Sequence, residues 1–222
     1  MTQKEQRAGL WYYPLQLLGL SLIIELFCML LHIRLSAAWL NVLYFTLNFF
    51  GVVLLFHRFL WKNLKIALQK PLHCILLALG GIGIYMIGGS LVAELIARLQ
   101  PSFFNVNDAY INSIIDDSYI PLAFCTIILV PIAEETLYRG LMFSSLYNRS
   151  RILAFAVSTL AFAAVHVVQY IGAYSAGHLA LCLLQYLPAG IAFGLTYALT
   201  DTVWAPILMH MIINAIGILS MR

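Results

Sequence analysis

Charge is what this sequence has least of. Asp, Glu, Lys and Arg make up 9% of its 222 residues, against about 25% in a soluble domain. No basic run or face is present, so nothing suggests a nucleic-acid partner. Paired cysteines are lacking too. Cys28, Cys74, Cys125 and Cys182 each stand alone in a separate apolar stretch. That argues against a zinc ribbon or a dithiol redox motif and reads as four small buried apolar side chains. There is no GxSxG serine motif and no HExxH zinc signature. Low-complexity tracts and repeats of 20–50 residues are likewise missing, and extended polar sequence is confined to 100–118. The chain therefore reads as one integral membrane domain, 1–222.

What is present is apolar length: 63% of the residues are hydrophobic. A membrane-spanning helix needs about 20 mostly apolar residues. By that rule the sequence predicts an all-α, polytopic transmembrane helix bundle of about seven spans, at 10–31, 38–60, 72–97, 119–147, 152–170, 177–199 and 203–220. An eighth, from splitting the long third or fourth run, would return the C-terminus to the starting side. The run at 10–31 exceeds the roughly 7–15 residues of a signal-peptide core and is read as a retained span. The basic stretch 61–70 suggests a separate interfacial helix. With the N-terminus cytoplasmic, Lys4, Arg7, Arg58, Lys62, Lys65, Lys70, Arg149 and Arg151 lie inside, and Arg34, Arg98 and Arg222 outside. That bias favours a multi-pass cell-membrane protein with its N-terminus in. His32, His57, His73 and His178 fall at predicted helix ends and read as interfacial residues. Glu94 precedes Arg98 by four and suits an ion pair, whereas Glu25 has no evident partner. Gly80, Gly81, Gly83, Gly88, Gly89, Gly190 and Gly194 read as sites of close helix packing.

One stretch breaks the apolar rule. Glu134, Glu135 and Arg139 lie inside the fourth span, where each charge at the centre costs roughly 2.5–3.5 kcal/mol on insertion scales. Glu134 precedes the turn after its span by about as many residues as His166 follows it. At about 1.5 Å per residue, an antiparallel pair brings the two to similar depth. Phe162 and His166 are four apart, as are His210 and Asn214, so each pair shares a helix face. Glu135 and Arg139 are also four apart, in the favourable order. Adjacent carboxylates point about 100° apart on a helix, so Glu135 can pair with Arg139 while Glu134 faces the interior as a general base. Taken singly, each residue also has a purely structural reading: a packed histidine, interhelical glue, a buried triad. Pro131 predicts a bend just before the carboxylates.

Taken together, Glu134-Glu135-Thr136-Leu137-Tyr138-Arg139 resembles the EExxxR motif of the CPBP intramembrane proteases. These are the type II CAAX prenyl endopeptidases and bacteriocin-processing enzymes, also called the Abi family. Phe162 to His166 resembles the family's FxxxH, and His210 to Asn214 its HxxxN, with a protease-like core at about 119–218. The resemblance implies that Glu134 is the general base, that His166 helps orient water, and that His210 and Asn214 stabilise the oxyanion. Glu135, Arg139 and Phe162 would support them. It implies a peptide or lipidated-peptide substrate within membrane lipid, cut at or near the cytoplasmic side. The family has been described both as metal-dependent and as metal-free. The metal-free reading is preferred here, with zinc on Glu134, His166 and His210 as the alternative. A further alternative is a non-proteolytic membrane protein of the same fold, acting in bacteriocin self-immunity or sensor regulation. A small transporter with Glu134 as proton relay would require inverted repeats, which the sequence does not show.

Overall fold

The computed structural model describes residues 1–221, so Arg222 of the charge count lies outside the described residues. Among the described residues eight helices organise the fold: α1 (Gln3–Leu30), α2 (Ala37–Gln69), α3 (Pro71–Leu99), α4 (Val106–Ile114), α5 (119–147), α6 (Arg151–Val165), α7 (Ala176–Thr200) and α8 (Trp204–Ser220). Seven make a polytopic bundle, and α4 is a short cap on the polar connection. All four cysteines are buried and free, and Glu94 pairs with Arg98 at 2.8 Å, as read from sequence.

Several boundaries differ from expectation. The stretch 61–70 is not a separate interfacial helix. No glycine or proline interrupts the chain between Val52 and Lys70, so α2 runs on as 33 residues, about 50 Å, well past a 30 Å hydrocarbon layer. It stops where Pro71 holds Lys70 out of the helical region, at φ −138°, ψ 55°. The span read as 152–170 is also shorter. Helix α6 has 15 residues, roughly 22 Å, and ends within the bundle at His166. The connection read as extended contains α4, whose first turn is capped by Asn105 Oδ1 accepting from Asn107 and Asp108 N–H. His178 lies near the start of α7 and is buried, stacked on Tyr174 and packed beside Phe103 and Phe104.

The end of the bundle that carries most Lys and Arg is tied down by backbone groups freed at a bend. Phe56 leaves helical geometry at φ −115°, ψ 19°. The released N–H of Phe59 donates to buried Glu5 Oε1 at 2.9 Å, and Glu5 is itself held in a capping box with Thr2. The Trp204 indole donates to Leu60 O at 3.1 Å, and the Val203 N–H donates to Asn63 Oδ1 at 3.0 Å. These bonds set the depth at which α8 starts, and so the depth of His210 and Asn214 further along it.

Close helix approach is real at some glycines only. Gly80 and Gly83 face open space, while Gly81 abuts Thr196 and Met209. On α7, a Cβ at Gly190 would lie 2.7 Å from Thr159 Cγ2 and 3.1 Å from Thr159 Cα on α6. Gly190→Ala should therefore destabilise the protein by about 1–3 kcal/mol, the usual cost of overpacking, despite the better helix propensity of Ala. Thermal unfolding of purified protein in detergent checks this.

Candidate active site

The site is built on α5, whose path is irregular on both sides of the two carboxylates. Pro131 has no N–H to give, and the chain meets it with a wide π turn at Cys125–Leu129. A second wide stretch, Thr136–Phe143, lies just past the carboxylates. Each such turn shifts the register of the residues after it by one. Between them Val130–Glu135 is α-helical, so Glu134 and Glu135 point different ways, as expected from 3.6 residues per turn.

Glu135 and Arg139 are both fully buried. Arg139 Nη1 donates to Glu135 Oε1 at 3.1 Å and Nη2 to the Gly190 carbonyl at 3.1 Å. Its guanidinium packs against the rings of both Phe162 and Phe193, 4.8 and 4.9 Å from their centroids, and the two rings themselves meet edge to face. One side chain thus joins α5, α6 and α7, and Phe162 acts as a wall of the cation's slot.

Glu135 does more than pair with Arg139. His210 Nδ1 donates to the same Oε1 at 3.1 Å, and the imidazole stacks on Phe193 with centroids 4.7 Å apart. The carboxylate fixes the ring's tautomer and orientation and leaves Nε2 free. Sequence spacing could not reveal this bridge, because its partners are 75 residues apart.

His166 is oriented by the end of its own helix. At the C-terminus of α6 the His166 backbone N–H turns to the Ala163 and Ala164 carbonyls. The Phe162 carbonyl instead accepts from His166 Nδ1 at 2.8 Å. A carbonyl can only accept, so Nδ1 carries the proton and Nε2 is again left with its lone pair. On the other face Tyr186 stacks against the imidazole, 4.2 Å between centroids and 22° between planes. The Tyr186 hydroxyl donates to Asn105 Oδ1 at 3.1 Å and Asp108 Oδ1 at 3.3 Å. Tyr186 was not singled out from sequence, since one tyrosine among twelve carries no signal until α7 is placed beside α6. Tyr186→Leu should lower catalytic turnover about tenfold by loosening His166, whereas Tyr186→Phe, which keeps the stack, should cost less. Steady-state kinetics with the two variants checks this.

Asn214 donates one amide N–H to the Thr126 carbonyl at 2.8 Å, inside the first wide turn of α5. Its second N–H remains available. Glu134, His166, His210 and Asn214 all line one cavity of about 590 Å³, together with Thr126, Tyr138 and Tyr186. No hydrogen bond joins Glu134 to His166 among the described residues. Glu134 Oε2 is buried with no hydrogen-bond partner among the described residues. Glu25 on α1 also lines the cavity, with Ser21 one turn before it. The residue left without an account by sequence thus faces the same space. Among the described residues no three His, Cys, Asp or Glu side chains lie close enough together to surround a metal ion. Glu134, His166 and His210 would have to draw together across the cavity to do so.

The cavity extends toward Asn105, Asp108, Gln169, Ser220 and Met221. This is the end of the bundle opposite Arg58, Lys62, Lys65, Arg149 and Arg151. The expectation of cleavage at the cytoplasmic side therefore meets a cavity that extends toward the less basic end.

Fold and site together define a helical multi-pass membrane protein with a carboxylate–imidazole site buried inside its bundle. Residues 116–216 match the family described as type II CAAX prenyl endopeptidase Rce1-like. Over this region the chain is similar to the CPBP family of membrane proteases. It is 32% identical over 88 residues to the Bacillus subtilis (strain 168) protein named "Putative membrane peptidase YdiL", which covers 39% of this chain. The chain spans about a third (32%) of the length of that curated relative. No solved structure matches it.

Proposed function

We propose that this chain is an intramembrane endopeptidase that uses Glu134 as general base. The observation that carries the reading is the convergence of Glu134, His166, His210 and Asn214, from three helices, on one cavity, with Glu134 Oε2 unpartnered among the described residues. A water held between Glu134 and His166 Nε2 loses a proton to Glu134, and its oxygen attacks the peptide carbonyl. The carbonyl oxygen becomes an oxyanion that accepts from the free N–H of Asn214 and from His210 Nε2 when that ring is doubly protonated, with Glu135 balancing its charge. The C–N bond then breaks, and the proton held by Glu134 passes to the leaving amine. Glu135, Arg139 and Phe162 hold His210 and α5 in place. Each step is written with the chain's own residues; zinc held by Glu134, His166 and His210 is the alternative that the test below addresses.

The substrate class is a membrane-associated or leader-type peptide. Given the Lys and Arg bias, such a peptide would approach from the extracytoplasmic side. The test is cleavage of a quenched peptide library by purified protein, with and without a strong chelator. Cleavage that survives the chelator supports the glutamate-base mechanism. Cleavage that the chelator abolishes and zinc restores would make Glu134, His166 and His210 a ligand set and overturn these roles.

A further inference from the structure

The described residues contain three wide turns: Leu15–Gly19 in α1, and Cys125–Leu129 and Thr136–Phe143 in α5. Each offers one backbone carbonyl to a side chain from another helix. The Tyr44 hydroxyl donates to Gln16 O at 3.0 Å, Asn214 Nδ2 to Thr126 O at 2.8 Å, and Ser158 Oγ to Tyr138 O at 3.0 Å. The reason is register. In a wide turn the N–H groups reach back five residues rather than four, so a carbonyl inside it loses its α-helical donor. At Thr126 both nearest internal donors are lost. In an α-helix its partner would be Val130 N–H, but that group goes to Cys125 O. The next N–H along, within reach in the wide register, would be that of residue 131, and Pro131 has none. At the other two turns the residue in this place is Ser21 or Phe143, each with an N–H of its own. Of the three carbonyls, only that of Thr126 has its competing donor removed by a proline, and there the side chain that takes over is a residue of the proposed site.

We infer that Pro131 is a positioning residue for the reaction: by withholding the N–H that would compete for the Thr126 carbonyl, it reserves that carbonyl for Asn214 and so aims the second Asn214 N–H. This rests on the proteolytic reading, in which that N–H meets the oxyanion, and adds the residue that directs it. A carbonyl can only accept, so Asn214 must turn its NH2 group, not its oxygen, toward Thr126. The amide is planar. With one N–H committed, the direction of the other is set, on the wall of the cavity that Thr126 and Asn214 both line. An oxyanion donor works through such fixed aim, which it holds before the charge develops.

The test compares two replacements that differ in one N–H. Pro131→Ala restores the donor. Pro131→lactic acid, introduced by nonsense suppression, has the side chain of alanine but an ester oxygen in place of the N–H. Pro131 is buried, and both replacements leave the same gap, so packing cancels between them. On a peptide from the library that the wild type cuts, kcat of the lactic acid variant should exceed that of Pro131→Ala about tenfold, with KM within about twofold, since a misaimed group costs turnover rather than binding. With Asn214→Ala added, the two should turn over alike. Thermal unfolding in detergent gives a readout that needs no cleavage. Asn214→Ala should lower the unfolding temperature by leaving the Thr126 carbonyl unpaired. In the Pro131→Ala protein, where residue 131 supplies a donor, that drop should shrink by about half, and in the lactic acid variant it should not. Equal kcat for the two replacements, a difference that persists without Asn214, or a drop of the same size in both overturns the inference. If the drop depends on the N–H at 131 but the wild type cuts no peptide, Pro131 still reserves the carbonyl and the proteolytic reading falls. If the wild type cuts, Glu134→Gln does not, and the two replacements agree in both readouts, the proteolytic reading stands and the inference falls.

Discussion

Glu134→Gln should lower kcat by two to four orders of magnitude while leaving KM and the unfolding temperature close to those of the wild type. General acid–base catalysis contributes about 10²–10⁴-fold, and the amide of Gln keeps the size and polarity of the side chain while losing its ability to take a proton. The structure gives a reason to expect little structural cost. Glu134 Oε2 has no hydrogen-bond partner among the described residues and the side chain belongs to neither buried ion pair, so the exchange disconnects nothing. That contrast with its neighbour is the informative part. Glu135→Gln should disturb activity and stability together, because its Oε1 serves both Arg139 and His210. Single-turnover kinetics and thermal unfolding on the two variants, side by side, check the distinction. A Glu134→Gln protein that cuts at the wild-type rate would remove the proposed mechanism.

The second large effect is on folding. Arg139→Ala should destabilise the protein by about 3–5 kcal/mol, the usual cost of breaking a fully buried ion pair by removing one partner. The loss is compounded here. Glu135 would be left charged with only His210 beside it. The Gly190 carbonyl would lose its Arg139 donor, and the space beside the Phe162 and Phe193 rings would be emptied. Arg139→Lys should recover only part of the stability, since an ammonium has no planar fork with which to reach both Glu135 and Gly190 while packed against two rings. Replacing both partners, Glu135→Gln with Arg139→Met, should cost less than Arg139→Ala alone, because no uncompensated charge remains. Thermal unfolding in detergent, with retention on size-exclusion chromatography as the check on fold, reads all three.

By itself the sequence determined the features that depend on composition and short spacing. Apolar length marks the spans whatever their packing, which is why the helical bundle was legible. Residues four apart share a helix face in any helix, so Glu135 with Arg139, Glu94 with Arg98 and Phe162 with His166 were found from spacing alone. Ends were less legible. Helix α2 ran on through 61–70 because nothing there breaks a helix, and α6 stopped at His166, short of the apolar run that suggested 152–170.

The tertiary structure alone decided which faces meet. The Glu135–His210 bridge, the Tyr186 stack on His166, the Asn214 bond to Thr126 and the place of Glu25 on the cavity wall all join residues on different helices. Their meeting depends on how far each helix is rotated about its axis. In α5 that rotation is set by two wide turns, one before Pro131 and one through Arg139, and each shifts the register by a residue. Hydrophobicity along the chain does not record such shifts. It also does not record which end of the bundle a cavity reaches, because that depends on where α6 ends and on the depth at which Asn63 and Leu60 hold the start of α8.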